Sequence, residues 1–198
     1  MVGFCICGSF CNHARILNVL EDITRRGIDI LPILSENAAN ISTRFGKAED
    51  FIKRVSDICK KEPLTRIEQT EYLSSRLGVE CLIVAPCTGN TLSKAANGIT
   101  DTSVTMAIKA HLRNRKPVVI GLATNDGLSG SFEAISKMYN KKHVFFVPLG
   151  QDDCYGKPTS MVADMNLIAK TVEMALEGAQ IQPLLIGQER KMFEEAAR

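Results

Sequence analysis

Two patterns of apolar residues alternate along the chain. Short, continuous apolar runs predict buried strands, and the longer segments between them repeat apolar residues every three or four positions, as amphipathic helices do. The predicted strands are residues 2–7, 28–34, 81–84, 117–123 and 143–147. The predicted helices are residues 12–26, 45–61, 67–77, 104–114, 129–139 and 160–176, and a helical C-terminal tail is expected over residues 181–198, with its helix at 189–198.

This order of elements predicts the fold class. Strands that are apolar throughout, separated by amphipathic helices, are typical of a mainly parallel sheet with helices on both faces. We therefore expect residues 1–198 to form a single three-layer α/β/α domain of the Rossmann-like (flavodoxin-like) class. Ligands of such folds bind at the carboxyl ends of the strands, which directs attention to the loops that follow them.

The most informative loop follows the strand at residues 81–84. It reads Ala-Pro-Cys-Thr-Gly-Asn-Thr-Leu-Ser-Lys-Ala-Ala-Asn-Gly-Ile-Thr-Asp over residues 85–101 and leads directly into a helix. Thr88, Asn90 and Thr91 offer hydrogen-bonding groups at the positive end of that helix dipole, and Gly89 would let a ligand approach the backbone. Taken alone, the same residues fit a cap of the helix better than a ligand site.

The complete string resembles a known family signature. It has the form Pro-x-x-x-Asn-Thr-x-x-Lys-x-Ala-x-Gly-x-x-Asp, from Pro86 to Asp101, as in the flavoprotein family of FMN-dependent cysteine decarboxylases and flavin prenyltransferases. The resemblance implies FMN as cofactor. It assigns cofactor and substrate contacts to a set of positions in this loop: Pro86, Thr88, Asn90, Thr91 and Lys94. From its chemistry, Lys94 is equally compatible with a phosphate or reduced-flavin contact and with an ion pair to Asp101.

The resemblance extends to three other loops. Gly8 and Ser9, after the first strand, correspond to the phosphate end of the FMN site, and Ser35, after the second, to a small hydroxyl residue near the phosphate. The alternatives are a helix N-cap for Ser9 and simple loop polarity for Ser35. Asn125 matches the asparagine of a Pro-Ala-Met-Asn segment in the decarboxylases, and Thr124 replaces its methionine. That replacement weakens the case for decarboxylase-type substrate binding.

Arg66 marks a second departure from the decarboxylases. It stands at the position of their catalytic histidine, in Arg-Ile-Glu-Gln instead of His-Ile-Glu-Leu. Arginine is always protonated near neutral pH and cannot act as a base, whereas its planar donors suit a carboxylate. We therefore reject cysteine decarboxylation and expect Arg66 to bind a small dicarboxylate substrate, with Asn125 as the second catalytic candidate. A surface arginine at the start of a helix is an equal alternative.

Composition restricts the remaining possibilities. The chain has 198 residues, 45% of them hydrophobic, which suits one well-buried domain. Its net charge of +2 gives no basic footprint for nucleic acid, and no apolar segment predicts a membrane anchor. An odd number of scattered cysteines, seven in all, favours reduced, buried thiols in the cytoplasm over disulfides or a metal site.

Within the family, the resemblance implies an oxidoreductase subunit that oxidises a small dicarboxylate together with a second, different subunit. FMN in this chain, or NADP bound by the second subunit, would accept the hydride. The resemblance also implies a homo-oligomer built from trimers. The alternatives are a flavin prenyltransferase-like enzyme and a non-catalytic FMN-binding assembly subunit.

Overall fold

The structure, a computed structural model, describes residues 1–187, so the helix expected at residues 189–198 lies outside the described range. Seven strands form within residues 1–187. They are β1 (Val2–Ile6), β2 (Ile30–Leu34), β3 (Cys81–Cys87), β4 (Val118–Thr124), β5 (Val144–Phe146), β6 (Leu149–Gly150) and β7 (Met161–Ala163). The first five correspond to the predicted strands.

The helices among the described residues are α1 (His13–Arg25), α2 (Glu36–Asn40), α3 (Ala48–Cys59), α4 (Ile67–Thr70), α5 (Gly89–Ala96), α6 (Ser103–Arg113), α7 (Phe132–Tyr139) and α8 (Ile168–Leu176). Short 3₁₀ turns precede α1 and α8. Side-chain hydroxyls start three of the helices: Ser35 caps α2, Thr88 caps α5 and Thr102 caps α6. No helix in the described part is long and apolar enough to span a membrane.

The five predicted strands are parallel and lie in the order β2-β1-β3-β4-β5. Every residue of β1, β2 and β3 is buried, as expected of strands covered on both faces by helices. The chain leaves β1 towards β2 on one side and returns to β3 on the other, so the strand order reverses between β1 and β3. A crevice opens at such a switch point. The predicted three-layer α/β class is confirmed.

β4 shares one edge between two partners. Its first half, Val118–Ile120, pairs in parallel with β5, and its end, Ala123 and Thr124, pairs antiparallel with β7. β6 pairs with β7 in turn. The sheet is therefore mixed, and the short antiparallel strands extend it beside the carboxyl end of β4.

The predicted helix at residues 160–176 is wrong in its first half. Residues 161–163 form β7, and the α-helix begins only at Ile168. The buried Ser160 hydroxyl donates to Asp152 at 2.5 Å, and the following residues pair with the free end of β4. That end of β4 is free because β5 pairs only with Val118–Ile120. The helical periodicity of residues 160–176 carries no information about the length of β5.

Two other segments differ from expectation. The helix predicted at residues 67–77 is α-helical only to Thr70. Residues 181–187, in the expected helical tail, are extended along β6: the Leu149 N–H donates to the Leu184 carbonyl, and the Ile186 N–H donates to the Leu149 carbonyl, both at 2.8 Å.

Candidate functional site

The loops after β1, β2, β3 and β4 lie together at the carboxyl edge of the sheet. The Cys7 N–H donates to the Pro86 carbonyl at 3.3 Å, which ties the end of β1 to that of β3. The Ser35 N–H donates to the Ile6 carbonyl at 3.0 Å, which ties the start of α2 to β1. The loops after β1, β2 and β3 therefore meet at the switch point between β1 and β3.

The hydroxyls at the start of α5 are used inside the protein. Thr88 Oγ1 accepts the Thr91 N–H at 3.2 Å and donates to Thr91 Oγ1 at 3.1 Å. Burial raises the pKa of Cys7 to about 11, and hydrogen bonds from the Thr91 hydroxyl and the Thr88 backbone partly offset the rise. Thr88 and Thr91 thus form the helix cap and its link to β1. Asn90 is exposed, and its side-chain amide has no hydrogen-bond partner among residues 1–187.

Gly89 serves close packing inside the protein. A Cβ at this position would overlap the Ser131 hydroxyl and would lie 2.7 Å from Thr124 Oγ1 and 3.0 Å from Asp126 Oδ1. Such distances are well inside van der Waals contact. The expectation that Gly89 makes room for a ligand is therefore wrong, because the loop after β4 fills that space.

A hydrogen-bonded group at the end of β4 escaped the sequence analysis. The Thr124 and Ser131 hydroxyls both donate to Asp126 Oδ1, the latter at 2.8 Å. The hydrogen bond from Thr124 is the largest effect on the pKa of Asp126 and lowers it. Burial opposes this effect, and the hydrogen bond from Ser131 adds to it, so the pKa lies below its usual value. The Asn-Asp-Gly sequence after β4 indicates a turn in which an aspartate bonds locally, but nothing in it shows the contact with α5.

The first two loops present a few polar groups around aromatic rings. Ser9 Oγ accepts a hydrogen bond from the Asn12 amide at 3.0 Å, and Ser35 Oγ caps α2 by accepting the Ala38 N–H at 3.2 Å. His13 is buried; its Nε2 lies 3.0 Å from the Cys7 carbonyl, and its ring stacks on Phe51 at 4.2 Å. Burial lowers the pKa of His13, so it is a neutral packing residue here.

The two catalytic candidates lie apart within one chain. Leu64 pairs with Ile33 of β2, which places Arg66 just beyond the carboxyl end of β2. Arg66 is exposed there, and its Nε lies 2.8 Å from Glu68 Oε1. Asn125 follows β4, and its carbonyl accepts the Thr159 hydroxyl at 2.7 Å. Because β1 and β3 separate β2 from β4, about 14 Å of sheet lies between them. The described chain does not bring Arg66 and Asn125 together.

Lys94 lies in the last turn of α5 and is paired inside the protein. Its Nζ is 2.7 Å from Asp101 Oδ2, and the ammonium lowers the pKa of that carboxyl by hydrogen bonding to it. Of the two alternatives drawn from the sequence, the structure shows the ion pair.

The cysteines of β1 and β3 are buried thiols, whereas Cys11 is exposed, so the expectation of buried thiols is wrong for Cys11. Burial raises the pKa of Cys5, Cys81 and Cys87, to about 12 for Cys81, so these side chains are unreactive at neutral pH. No group of three histidine, cysteine or acidic side chains in the described part is arranged to hold a metal ion.

Comparison with known proteins agrees with this architecture. A family model described as Flavoprotein matches residues 1–173, and the chain belongs to that family. It is 38% identical over 185 residues to the B subunit of dipicolinate synthase of Bacillus subtilis (strain 168), covering 93% of this chain and 92% of that protein.

Two solved structures show the same fold. The crystal structure of the dipicolinate synthase B subunit from Bacillus halodurans C has a TM-score of 0.86 at 36% identity, over 94% of this chain and 96% of that one. The FMN-dependent cysteine decarboxylase SpaF has a TM-score of 0.65 at 18% identity, over 89% of this chain and 94% of that one. The resemblance found in the motif is thus confirmed at the level of the family.

Proposed function

We propose that this chain is the B subunit of a dipicolinate synthase. With a separate A subunit, it would oxidise dihydrodipicolinate to dipicolinate, pyridine-2,6-dicarboxylate, in the mother-cell cytoplasm of a sporulating bacterium. The observation that carries the proposal is 38% identity over 93% of this chain to a protein of that name. Because the match also covers 92% of that protein, it extends well beyond a shared cofactor-binding core.

The residues present fit FMN as cofactor. The backbone at Gly8 and Ser9, the hydroxyl of Ser9 and the start of α2 at Ser35 would hold the phosphate. Asn90, Thr124 and Asn125 offer exposed or half-exposed polar groups on the loops where the ring would lie. When bound, FMN supplies an acceptor for the hydride removed from the substrate.

The remaining task of the protein is to hold the substrate carbon against that acceptor. Oxidation to the aromatic pyridine removes a hydride and a proton while both carboxylates stay charged. Arg66 is suited to one carboxylate, since its side chain is exposed and makes one ion pair among residues 1–187, with 2.8 Å between Nε and Glu68 Oε1. Asn125 would orient the ring. Because Arg66 and Asn125 are far apart in one chain, we expect a homo-oligomer built from trimers in which neighbouring copies complete the site.

A second candidate function is an FMN-binding assembly subunit, with hydride passing instead to NADP on the A subunit. The observation that favours it is that both cations expected in the site make ion pairs inside the protein: Lys94 is held by Asp101 and Arg66 is partly held by Glu68. A protein that only stabilises its partner needs neither cation in the site.

The deciding experiment is an anaerobic absorbance titration. The purified chain, reconstituted with FMN, is titrated with freshly generated dihydrodipicolinate, with and without the A subunit. We expect the flavin band to bleach. A protein whose flavin stays oxidised in both cases would contradict the catalytic proposal and favour the assembly role. A protein that binds no flavin would contradict FMN as the cofactor in both roles.

The same titration tests Arg66. Arg66→Lys keeps the charge but loses the paired donors, so we expect at least about a tenfold weaker apparent affinity for the substrate. Arg15→Lys is the matched control, since Arg15 is a half-exposed arginine of α1 paired with Asp164. Equal affinities in the two variants would remove Arg66 from the site.

A further inference from the structure

The side chain of Gln69 closes the turn that carries Arg66. Its oxygen Oε1 accepts two backbone hydrogen bonds, from the Thr65 N–H and from the Arg66 N–H, each at 3.0 Å. Neither N–H has another hydrogen-bond acceptor among residues 1–187. One side-chain oxygen therefore holds the backbone that leads into Arg66 at the start of α4.

The turn is anchored to β2 on the side that precedes Arg66. The Leu64 N–H donates to the Pro32 carbonyl at 3.0 Å, and the Leu34 N–H donates to the Leu64 carbonyl at 2.8 Å. These two bonds fix the chain at the carboxyl end of β2. The residues between Leu64 and α4 have no such pairing with the sheet, so their conformation depends on Gln69.

A second anchor follows Arg66. The Thr70 hydroxyl donates to the carbonyl of Ser103, the first residue of α6, at 2.9 Å, and the Ser103 hydroxyl donates to the Leu34 carbonyl at 2.7 Å. Both hydroxyl residues are completely buried, so water does not compete for these bonds. The chain is thus tied twice to the end of β2, once on each side of the turn.

We infer that Gln69 is the positioning residue of Arg66. By closing the turn between the two anchors, it presents the guanidinium at the carboxyl end of β2, where it can bind one carboxylate of the substrate. The inference rests on the proposed function and deepens it, because it names the residue that fixes the proposed carboxylate-binding arginine. Gln69 acts through Arg66 and does not itself contact the ligand.

The exposure of Arg66 explains why such a residue matters. Its side chain is 69% exposed, so it can reach a ligand, but a long exposed side chain loses rotamer freedom when it binds. The pair with Glu68 restrains the guanidinium, and Gln69 fixes the backbone from which the side chain extends. A displaced guanidinium would lose the two-point geometry that favours arginine at carboxylates.

The test measures binding of dipicolinate, the proposed product, to the FMN-reconstituted chain by isothermal titration calorimetry. Gln69→Leu removes the acceptor oxygen with little change in side-chain size. Gln182→Leu is the matched control, because Gln182 Oε1 also accepts a backbone N–H, that of Leu184 at 3.1 Å. We expect the dissociation constant to rise about three- to tenfold in Gln69→Leu and to stay within about twofold of wild type in Gln182→Leu. Equal dissociation constants in the two variants would overturn the inference.

A double-mutant cycle shows whether Gln69 acts through Arg66. Arg66→Lys already lacks the paired donors, so adding Gln69→Leu to it should weaken dipicolinate binding by less than about twofold. A loss of the same size in both backgrounds would mean that Gln69 acts on the fold in general, and would also overturn the inference.

Amide hydrogen exchange provides a measurement that needs no ligand. We expect the amides of Thr65 and Arg66 to exchange at least about tenfold faster in Gln69→Leu than in wild type, and within about threefold of wild type in Gln69→Glu, which keeps an acceptor oxygen. Unchanged exchange in Gln69→Leu would refute the positioning role. A wild-type protein that binds no dipicolinate would contradict the proposed function, while the exchange rates would still decide whether Gln69 fixes Arg66.

Discussion

Gly89→Ala tests the packing between α5 and the loop after β4. The new methyl group would overlap the Ser131 hydroxyl and lie 2.7 Å from Thr124 Oγ1. Thr124 would have to move by roughly 0.8 Å to reach an ordinary contact near about 3.5 Å. Overpacking of this kind costs about 1–3 kcal/mol, and a weakened hydroxyl–carboxylate hydrogen bond in this partly exposed group adds about 1 kcal/mol.

We therefore expect Gly89→Ala to lower the free energy of unfolding by about 2–3 kcal/mol, measured by urea denaturation at fixed protein concentration. Gly187→Ala is the matched control, because a Cβ there meets nothing within 4 Å, and it should change stability by less than about 0.5 kcal/mol. Adding Ser131→Ala to Gly89→Ala removes the overlapping oxygen, so the double variant should lose about 1 kcal/mol less than the sum of the single variants. Stability of Gly89→Ala within about 0.5 kcal/mol of wild type would refute the packing argument.

Three further predictions follow from single contacts. Thr88→Ala should cost about 1 kcal/mol of unfolding free energy by removing the α5 cap, and Thr88→Ser should restore it. Burial lowers the pKa of His111 from 6.5 to about 4. As the pH falls, His111 is therefore protonated in the unfolded chain at a higher pH than in the folded one. Stability should then fall by about 2 kcal/mol from pH 7 to pH 5, and by clearly less in His111→Asn. Lys94→Gln should change the FMN dissociation constant by less than about threefold, because its ammonium is held by Asp101; a tenfold weakening would return Lys94 to the cofactor site.

The parallel core of the fold could be predicted because its signal is local. Strands such as β1 and β2 are buried along their whole length, so each is an unbroken apolar run that needs no partner to be recognised. β7 gives no such signal. Its strand character arises from the unpaired end of β4, a property of strand lengths elsewhere in the sheet, and its apolar residues also fit the periodicity of the helix that follows.

Of the site, the sequence predicted the local elements and not the contacts between loops. The motif from Pro86 to Asp101 identified the loop and the helix start, and Thr88 and Thr91 are indeed at that start, as its cap. The role of Gly89 was misjudged because its neighbours come from the loop after β4, which the sequence separates from α5 by a whole helix and strand. Asp126 was overlooked for the same reason. Contacts between loops from different strands leave no spacing pattern in the sequence.

The edge that β4 shares also bears on how the site works. Because β7 pairs with Ala123 and Thr124, the backbone at the end of β4 is fixed up to the residue whose hydroxyl meets Asp126. Ser160, the residue directly before β7, is buried, and its hydroxyl donates to Asp152. Strand pairing and a buried hydrogen bond therefore hold the β4 side of the crevice, and such preorganisation would reduce the ordering cost of binding. The β2 side is different, since Arg66 is exposed and only partly engaged. Under the proposed function, the β4 side would take the cofactor ring, and the exposed donors of Arg66 would take a substrate that enters and leaves in each turnover.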